Sequence, residues 1–229
     1  MIARPIDVLL DPKSTFTSMA RRPTWIAPLT ILMALATLTS TLIFDRIDAV
    51  QAVREQFTAQ GRIPNQLQID QGVTFWENVR GIAVLVTLVS FPLLMMLVAF
   101  VFWAAFQLAG HEMDYDESMA VTLHGMMPWA VASLLSVPVI LSRDSITPRE
   151  AMNGNVLISN LGFLAAPDGA PAWAAFLSSV DLFSAWTAVL LVIGYRIVAR
   201  ASAATACAVV SLVWLSYICL KVGWVALQP

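Results

Sequence analysis

The chain alternates long apolar runs with short polar breaks, and the runs set its architecture. Five of them are long enough to cross the hydrocarbon core as helices: Trp25 to Phe44, Ile82 to Leu108, Met119 to Leu141, Leu182 to Ala199, and Ser202 to Leu227. About twenty apolar residues suffice for one crossing, because a helix rises about 1.5 Å per residue and the core is about 30 Å thick. The alternating ten-residue segments of a membrane barrel are absent from the sequence. The pattern therefore predicts an all-α, polytopic membrane protein with a five-helix transmembrane bundle. Residues 1–229 form one domain in this reading, and an odd number of spans puts the termini on opposite sides.

The polar breaks carry their own signals. "DPKSTFTSMARRP" before the first span reads as a short helix, with Asp11 as N-cap and Pro12 in the first helical position. Phe16, Met19 and Ala20 share a face and Lys13, Arg21 and Arg22 stand near the other, so residues 1–24 are expected to lie in the membrane interface. Residues 45–80 and 142–180 are the two extracytoplasmic segments. In the first, Ile43, Ile47, Val50 and Phe57 keep helical spacing, so the first span is expected to run on into water until Gly61 and Pro64, with "PNQLQIDQG" as loop. In the second, "TPRE" at 147–150 is a helix start with Thr147 capping and Glu150 reaching back, and "APDGAP" at 166–171 is a turn.

Composition agrees: 59% of residues are hydrophobic and 12% charged, against about 25% charged in soluble domains. Net charge is −2 and the thirteen basic residues are scattered, which leaves no nucleic-acid footprint and no polybasic patch. Arg4, Lys13, Arg21, Arg22, Arg196 and Arg200 lie on the N-terminal side of the membrane. The remaining basic residues sit mostly in the two long segments, which count less in the positive-inside rule, so the N-terminus is expected in the cytoplasm and the C-terminus outside. "VLL" at 8–10, flanked by Asp7 and Asp11, is no signal-peptide core, so the first span should act as an uncleaved anchor. Cys207 and Cys219 lie about 18 Å apart along one span and cannot bridge each other.

Chemistry-bearing residues are few. "HEMDYDES" at 111–118 packs a histidine and four carboxylates between the second and third spans, yet Asp114 and Glu117 have capping-box spacing and suit the positive end of the third helix. His111, Glu112 and Asp116 supply no His-Glu-x-x-His pattern, so neither a metal nor a catalytic site is expected there, and no cofactor is implied. His124 lies inside the third span, where an ionisable residue is a functional suspect, and Pro128 removes the amide that would pair with its carbonyl. Pro92 and Pro138 are expected to break their spans similarly. Asp181 and Lys221 each lie twenty residues from Ala201 at the last turn, so antiparallel packing would bring them to one depth, either as an ion pair or as a cap and an independent snorkelling lysine.

Three segments, "DPKSTFTSMARRPTWIAPL", "SMAVTLHGMMPWAVASLLSVP" and "SSVDLFSAWTAVLLVIGYRIVARASAATA", resemble in order and spacing the Yip domain family of Ypt/Rab-interacting integral membrane proteins. The entry to the fourth span, Asp181, Leu182, Phe183 and Trp186, is similar to the bacterial branch, while Gly194 and Tyr195 resemble a Gly-Tyr pair of the eukaryotic members. The eukaryotic Asp-Leu-Tyr-Gly-Pro motif is absent, which makes GTPase binding doubtful. The resemblance implies a five-span bundle with a cytoplasmic N-terminus, in a bacterial inner membrane, and an interaction role.

The residues contain no nucleophile beside its base and no phosphate-cradling glycine loop, so an enzyme is not expected. The first reading is a membrane-embedded partner or scaffold engaging another integral membrane complex, for which the resemblance implies an export ABC transporter as one instance. Phe183, Trp186, Tyr195 and Trp214 are its candidate packing or contact residues. The alternative is a conduit for a small solute or lipid, hinged at the prolines and lined by His124, Gln107, Asn160 or Asp181.

Overall fold

The structure, a computed structural model, describes residues 5–147, 150–151, 156–165 and 169–227. Among them no strand occurs; two isolated backbone bridges, Ile47 with Ile146 and Asn160 with Asp181, are the extended pairings. The helices are α1 (Asp7–Leu10), α2 (Pro12–Met19), α3 (Ile26–Asp45), α4 (Ala49–Ala59), α5 (Gln66–Leu108), α6 (Tyr115–Gly125), α7 (Met127–Leu141), α8 (Pro171–Leu177), α9 (Leu182–Val198) and α10 (Ala203–Ala226), with a 3₁₀ turn at Leu161–Leu164. α3, α5, the α6–α7 pair and α10 are long and apolar enough to cross a membrane; α9, with 17 residues, is shorter and stands at the lower limit of about 17.

Local capping explains most boundaries. Asp11 accepts from the Ser14 amide at 3.2 Å and starts α2, Asp48 accepts from Gln51 at 3.0 Å and starts α4, and Ser202 accepts from Thr205 at 3.0 Å and starts α10. Gly61 follows α4 in the left-handed region, φ 67°, which a glycine adopts without steric cost. The first span does not run on into water: it ends at Asp45, and the chain re-initiates at the Asp48 cap. Nor is "PNQLQIDQG" a loop. Asn65 and Gln68 form a reciprocal capping box, with the Gln68 amide donating to Asn65 Oδ1 at 2.9 Å and the Asn65 amide to Gln68 Oε1 at 3.0 Å. From there α5 runs unbroken for 43 residues, about 65 Å, so it overshoots the bilayer and carries α4 folded against it. Gly72 makes that packing close, since an added Cβ would press on Val53.

Pro92 and Pro138 lie within α5 and α7 without ending either helix. Among the described residues only the third span is divided: α6 and α7 meet at Met126, with Pro128 in the first turn of α7, the place where a proline lacks nothing it needs. The core is built around α6, which packs on α5, α9 and α2, while α9 also contacts α7 and α10. Phe16 and Met19 do share one face of α2, and what that face covers is protein: both are buried in the main core with Met119, Val121, Leu190 and Tyr195.

Candidate functional site

The centre of the bundle holds a small polar cluster in apolar surroundings. Tyr195 of α9 is fully buried, its ring stacked on Phe106 at 4.4 Å and beside Phe102 at 5.2 Å. Its hydroxyl lies 2.9 Å from Ser118 Oγ and 2.8 Å from Thr122 Oγ1, two residues one helical turn apart on α6. Ser118 spends its single proton on the Ala99 carbonyl of α5 at 2.8 Å. The Tyr195 hydroxyl must therefore donate to Ser118 and accept from Thr122, a chain in which every proton has an acceptor. Such bonds tie spanning helices together by about 1 kcal/mol each.

Gly194 and Gly125 permit the close approach. A Cβ on Gly194 would stand 2.7 Å from Val121 Cγ1 and 2.8 Å from Phe16 Cε1, and one on Gly125 2.9 Å from Leu191 Cγ. Small residues at helix contacts are how membrane helices gain dispersion energy when lipid is as apolar as the side chains. The glycine of the Gly194–Tyr195 pair thus seats α2 and α6, and the tyrosine reaches α5 and α6. The sequence reading singled out Tyr195 but missed Ser118 and Thr122, whose i, i+4 hydroxyls inside an apolar span were the available signal.

His124, one residue before Gly125, is fully buried. Its Nδ1 donates to the Ala120 carbonyl of its own helix at 2.9 Å, and its Nε2 has no hydrogen-bond partner among the described residues. The acidic turn beside α6 is held by backbone and side-chain bonds. Gly110 ends α5 in the left-handed region, φ 83°. The Met113 carbonyl accepts from Trp103 Nε1 at 3.0 Å and from Gln107 Nε2 at 3.1 Å. Glu117 Oε2 accepts the Asp114 amide at 2.9 Å. Gln107, Glu112, Met113, Asp114 and Glu117 line an open surface depression of 490 Å³; among the described residues no cluster has the ligands for a metal ion.

The opposite end of the bundle bears on the two alternatives for Asp181 and Lys221. Among the described residues Asp181 and Lys221 form no ion pair. Lys221 does reach the depth of Asp181, but its Nζ donates to Ser178 and Ser179 hydroxyls at 2.9 and 3.1 Å. Asp181 is committed as the N-cap of α9, accepting from the Ser184 amide at 2.9 Å, while its Oδ1 is buried without a partner among the described residues. The serines of the preceding turn stand nearer the lysine than the capping carboxylate does. At this same end the two long segments meet: the Ile146 amide donates to the Arg46 carbonyl at 2.8 Å, Arg46 Nη1 donates to the Arg143 carbonyl, and Arg143 pairs with Glu150 at 3.0 Å. Glu150 also accepts from the Thr147 amide and hydroxyl, each at 3.1 Å. The Thr147 amide first, then that hydroxyl and Arg143, hold the Glu150 carboxyl below its ordinary range against partial burial.

The remaining candidates are dispersed. Phe183 is buried and Trp186 half-buried against the core. Trp214 lines a shallow apolar groove of 260 Å³ between α9 and α10 with Val189, Ile193 and Val210. Gln107 serves the acidic turn, whereas Asn160 Oδ1 accepts from the Gly162 amide at 2.8 Å at the other end of the molecule. Neither the 490 Å³ nor the 260 Å³ cavity touches His124, Asn160 or Asp181.

A helical bundle with lipid-facing apolar walls, capped turns and a buried hydroxyl chain defines an all-α, polytopic integral membrane protein. Within that class the chain matches the Yip1 domain family over residues 6–225, nearly its whole length, and it belongs to that family. No curated protein and no solved structure matches it.

Proposed function

We propose that the protein is a non-enzymatic membrane partner or scaffold that engages another integral membrane complex, an export ABC transporter being one such complex. The carrying observation is the uneven covering of its spans. Within the bundle the α6–α7 span is 44% buried, whereas α3 and α5 are each 11% buried over their most apolar windows. α5 turns Leu85, Val89, Leu93, Leu97 and Phe100 outward, a continuous wall on the helix that also carries the α4 lobe. Packing and small-residue contact, not hydrophobicity, hold membrane helices together, so such a wall can take either lipid or a partner helix. The location that goes with this reading is a bacterial inner membrane, with the N-terminus cytoplasmic and the C-terminus outside. GTPase partners are not part of it, because the motif of the eukaryotic members is missing. The conduit reading has less support, since neither surface cavity touches His124, Asn160 or Asp181.

The test is purification from native membranes in mild detergent. The expected outcome is co-purification with one membrane complex at fixed stoichiometry, weakened by Leu93→Ala with Leu97→Ala while the bundle stays folded. Recovery of the chain alone under every mild condition overturns the reading.

A further inference from the structure

The segment leading into α9 is placed outside the membrane by span counting, but its surface is not that of a chain in water. Between Val156 and Val180 the sequence carries one charge, Asp168. Ile158, Phe163, Leu164, Trp173 and Phe176 are 72, 65, 60, 55 and 38% exposed. Trp173 and Phe176 stack at 5.4 Å and 18° on the outer face of α8, whose other face buries Ala175 and Leu177 where the helix packs on α10. α4, which starts from the same end of the bundle, exposes Gln51, Arg54, Glu55 and Gln56 instead. One molecule thus presents two kinds of surface at one end.

Depth and backbone accounting agree on where the apolar segment sits. Lys221 holds the end of α8 through Ser178 and Ser179. It stands eighteen residues beyond the first residue of α10 (221 − 203), about 27 Å along the helix and so near the far edge of a 30 Å core. Several of the segment's polar groups are satisfied from within. The Leu161 amide donates to the Val180 carbonyl and the Leu182 amide to the Ser159 carbonyl, both at 3.1 Å. The Gly162 amide is held by Asn160, and both serine hydroxyls turn back to the Ala175 carbonyl. A partly paired backbone is admissible at the membrane boundary, where water still reaches it, and there tryptophan is enriched and lysine snorkels. Lys221 has hydroxyl partners but no carboxylate partner among the described residues.

We propose that residues 156–165 and 169–180 form a shelf seated on phospholipid. The Leu161–Leu164 turn and α8 lie in the headgroup layer, with Phe163, Leu164, Trp173 and Phe176 against the upper acyl chains and Lys221 toward lipid phosphate. The shelf continues the lipid-facing wall of the spans, so its occupant is the bilayer and not water.

The experiment uses the full chain with Cys207→Ser and Cys219→Ser, reconstituted alone in phosphatidylcholine–phosphatidylglycerol vesicles. Nitroxide labels are placed singly at Ile158→Cys, Phe163→Cys and Trp173→Cys, with Glu55→Cys as the water reference and Val89→Cys as the lipid reference. Collision rates with oxygen and with a water-soluble nickel chelate are compared. The shelf predicts that oxygen collisions dominate at 158, 163 and 173, with ratios between those of the two references. Ratios equal to that of Glu55 would place the segment in water, and low collision with both reagents would place it under protein; either result overturns the proposal. Since Ile158, Phe163 and Trp173 all face outward, loss of folding in one labelled variant leaves the others decisive. No partner is present in the vesicles, so the outcome is independent of the scaffold reading.

Discussion

α5 and α6 are neighbours in sequence and in space, and they use apolar residues in opposite ways. α5 is the most apolar of the four spanning candidates, yet its span is barely covered by the rest of the molecule. The α6–α7 span is the least apolar of the four and the most buried, and it carries Ser118, Thr122 and His124 at the centre. In a soluble domain the greasiest helix marks the core. Here lipid supplies the apolar environment, so apolarity reports contact with lipid, and small or hydroxyl-bearing residues report contact with protein.

The comparison can be broken most sharply at Gly194. Gly194→Leu drives a branched side chain into Phe16 and Val121, and overpacking of this kind costs about 3 kcal/mol. Thermal unfolding in detergent should show a large loss, with protease sensitivity appearing first in α2. Adding Phe16→Ala should recover part of it; a wild-type melting curve for Gly194→Leu would show that α2 does not seat there.

Next in size is the hydroxyl chain. Tyr195→Phe keeps the stack on Phe106 but strips Ser118 and Thr122 of their shared partner, a loss of about 1 kcal/mol. In a double-mutant cycle with Ser118→Ala the two losses should be clearly less than additive. Additive losses would mean that the bond contributes nothing to packing.

A smaller effect is expected at the rim that joins the two long segments. The Glu150 carboxyl titrates below its ordinary value, so its contribution is fully present above the unfolded-state pKa and is lost as pH falls through the folded-state value. The pair is partly exposed, with side chains 29% and 38% accessible, and solvent screening limits the effect to less than about 1 kcal/mol. Melting temperature followed downward through the carboxylate range should fall less for Glu150→Gln than for the wild type. Equal slopes would detach Glu150 from the stability of the rim.

The smallest change in stability belongs to the α5 wall. Val89→Ala or Leu93→Ala removes methyl groups that face outward, and such sites usually change stability by less than about 0.5 kcal/mol. A loss as large as that at a core leucine would show that the wall is covered within the protein.

Much of this was legible along the chain because the responsible interactions are local. Asp11, Asp114 and Thr147 were readable as caps, since a side chain and the amide it binds lie within three residues of each other. The missed start of α5 at Asn65 obeys the same rule; "NQLQ" is a capping box written with amides, and its polar composition made it look like loop. The choice between ion pair and cap at Asp181 and Lys221 was open for a different reason. Equal depth follows from spacing, but direction does not: one Asp181 oxygen caps its own helix, and the serines of the preceding turn stand nearer to Lys221 than the carboxylate does.

What the sequence determined by itself is that long apolar runs become helices across a bilayer, because backbone amides in hydrocarbon have no other partner, and that these helices start at their own caps. What only the tertiary structure decided is which face of each helix meets protein and which meets lipid. In a bilayer those two surroundings are almost equally apolar, so hydropathy cannot separate them. The choice falls to volume and hydroxyl geometry, at Gly194 against Phe16 and at Tyr195 between Ser118 and Thr122, and these exist only once the helices are side by side.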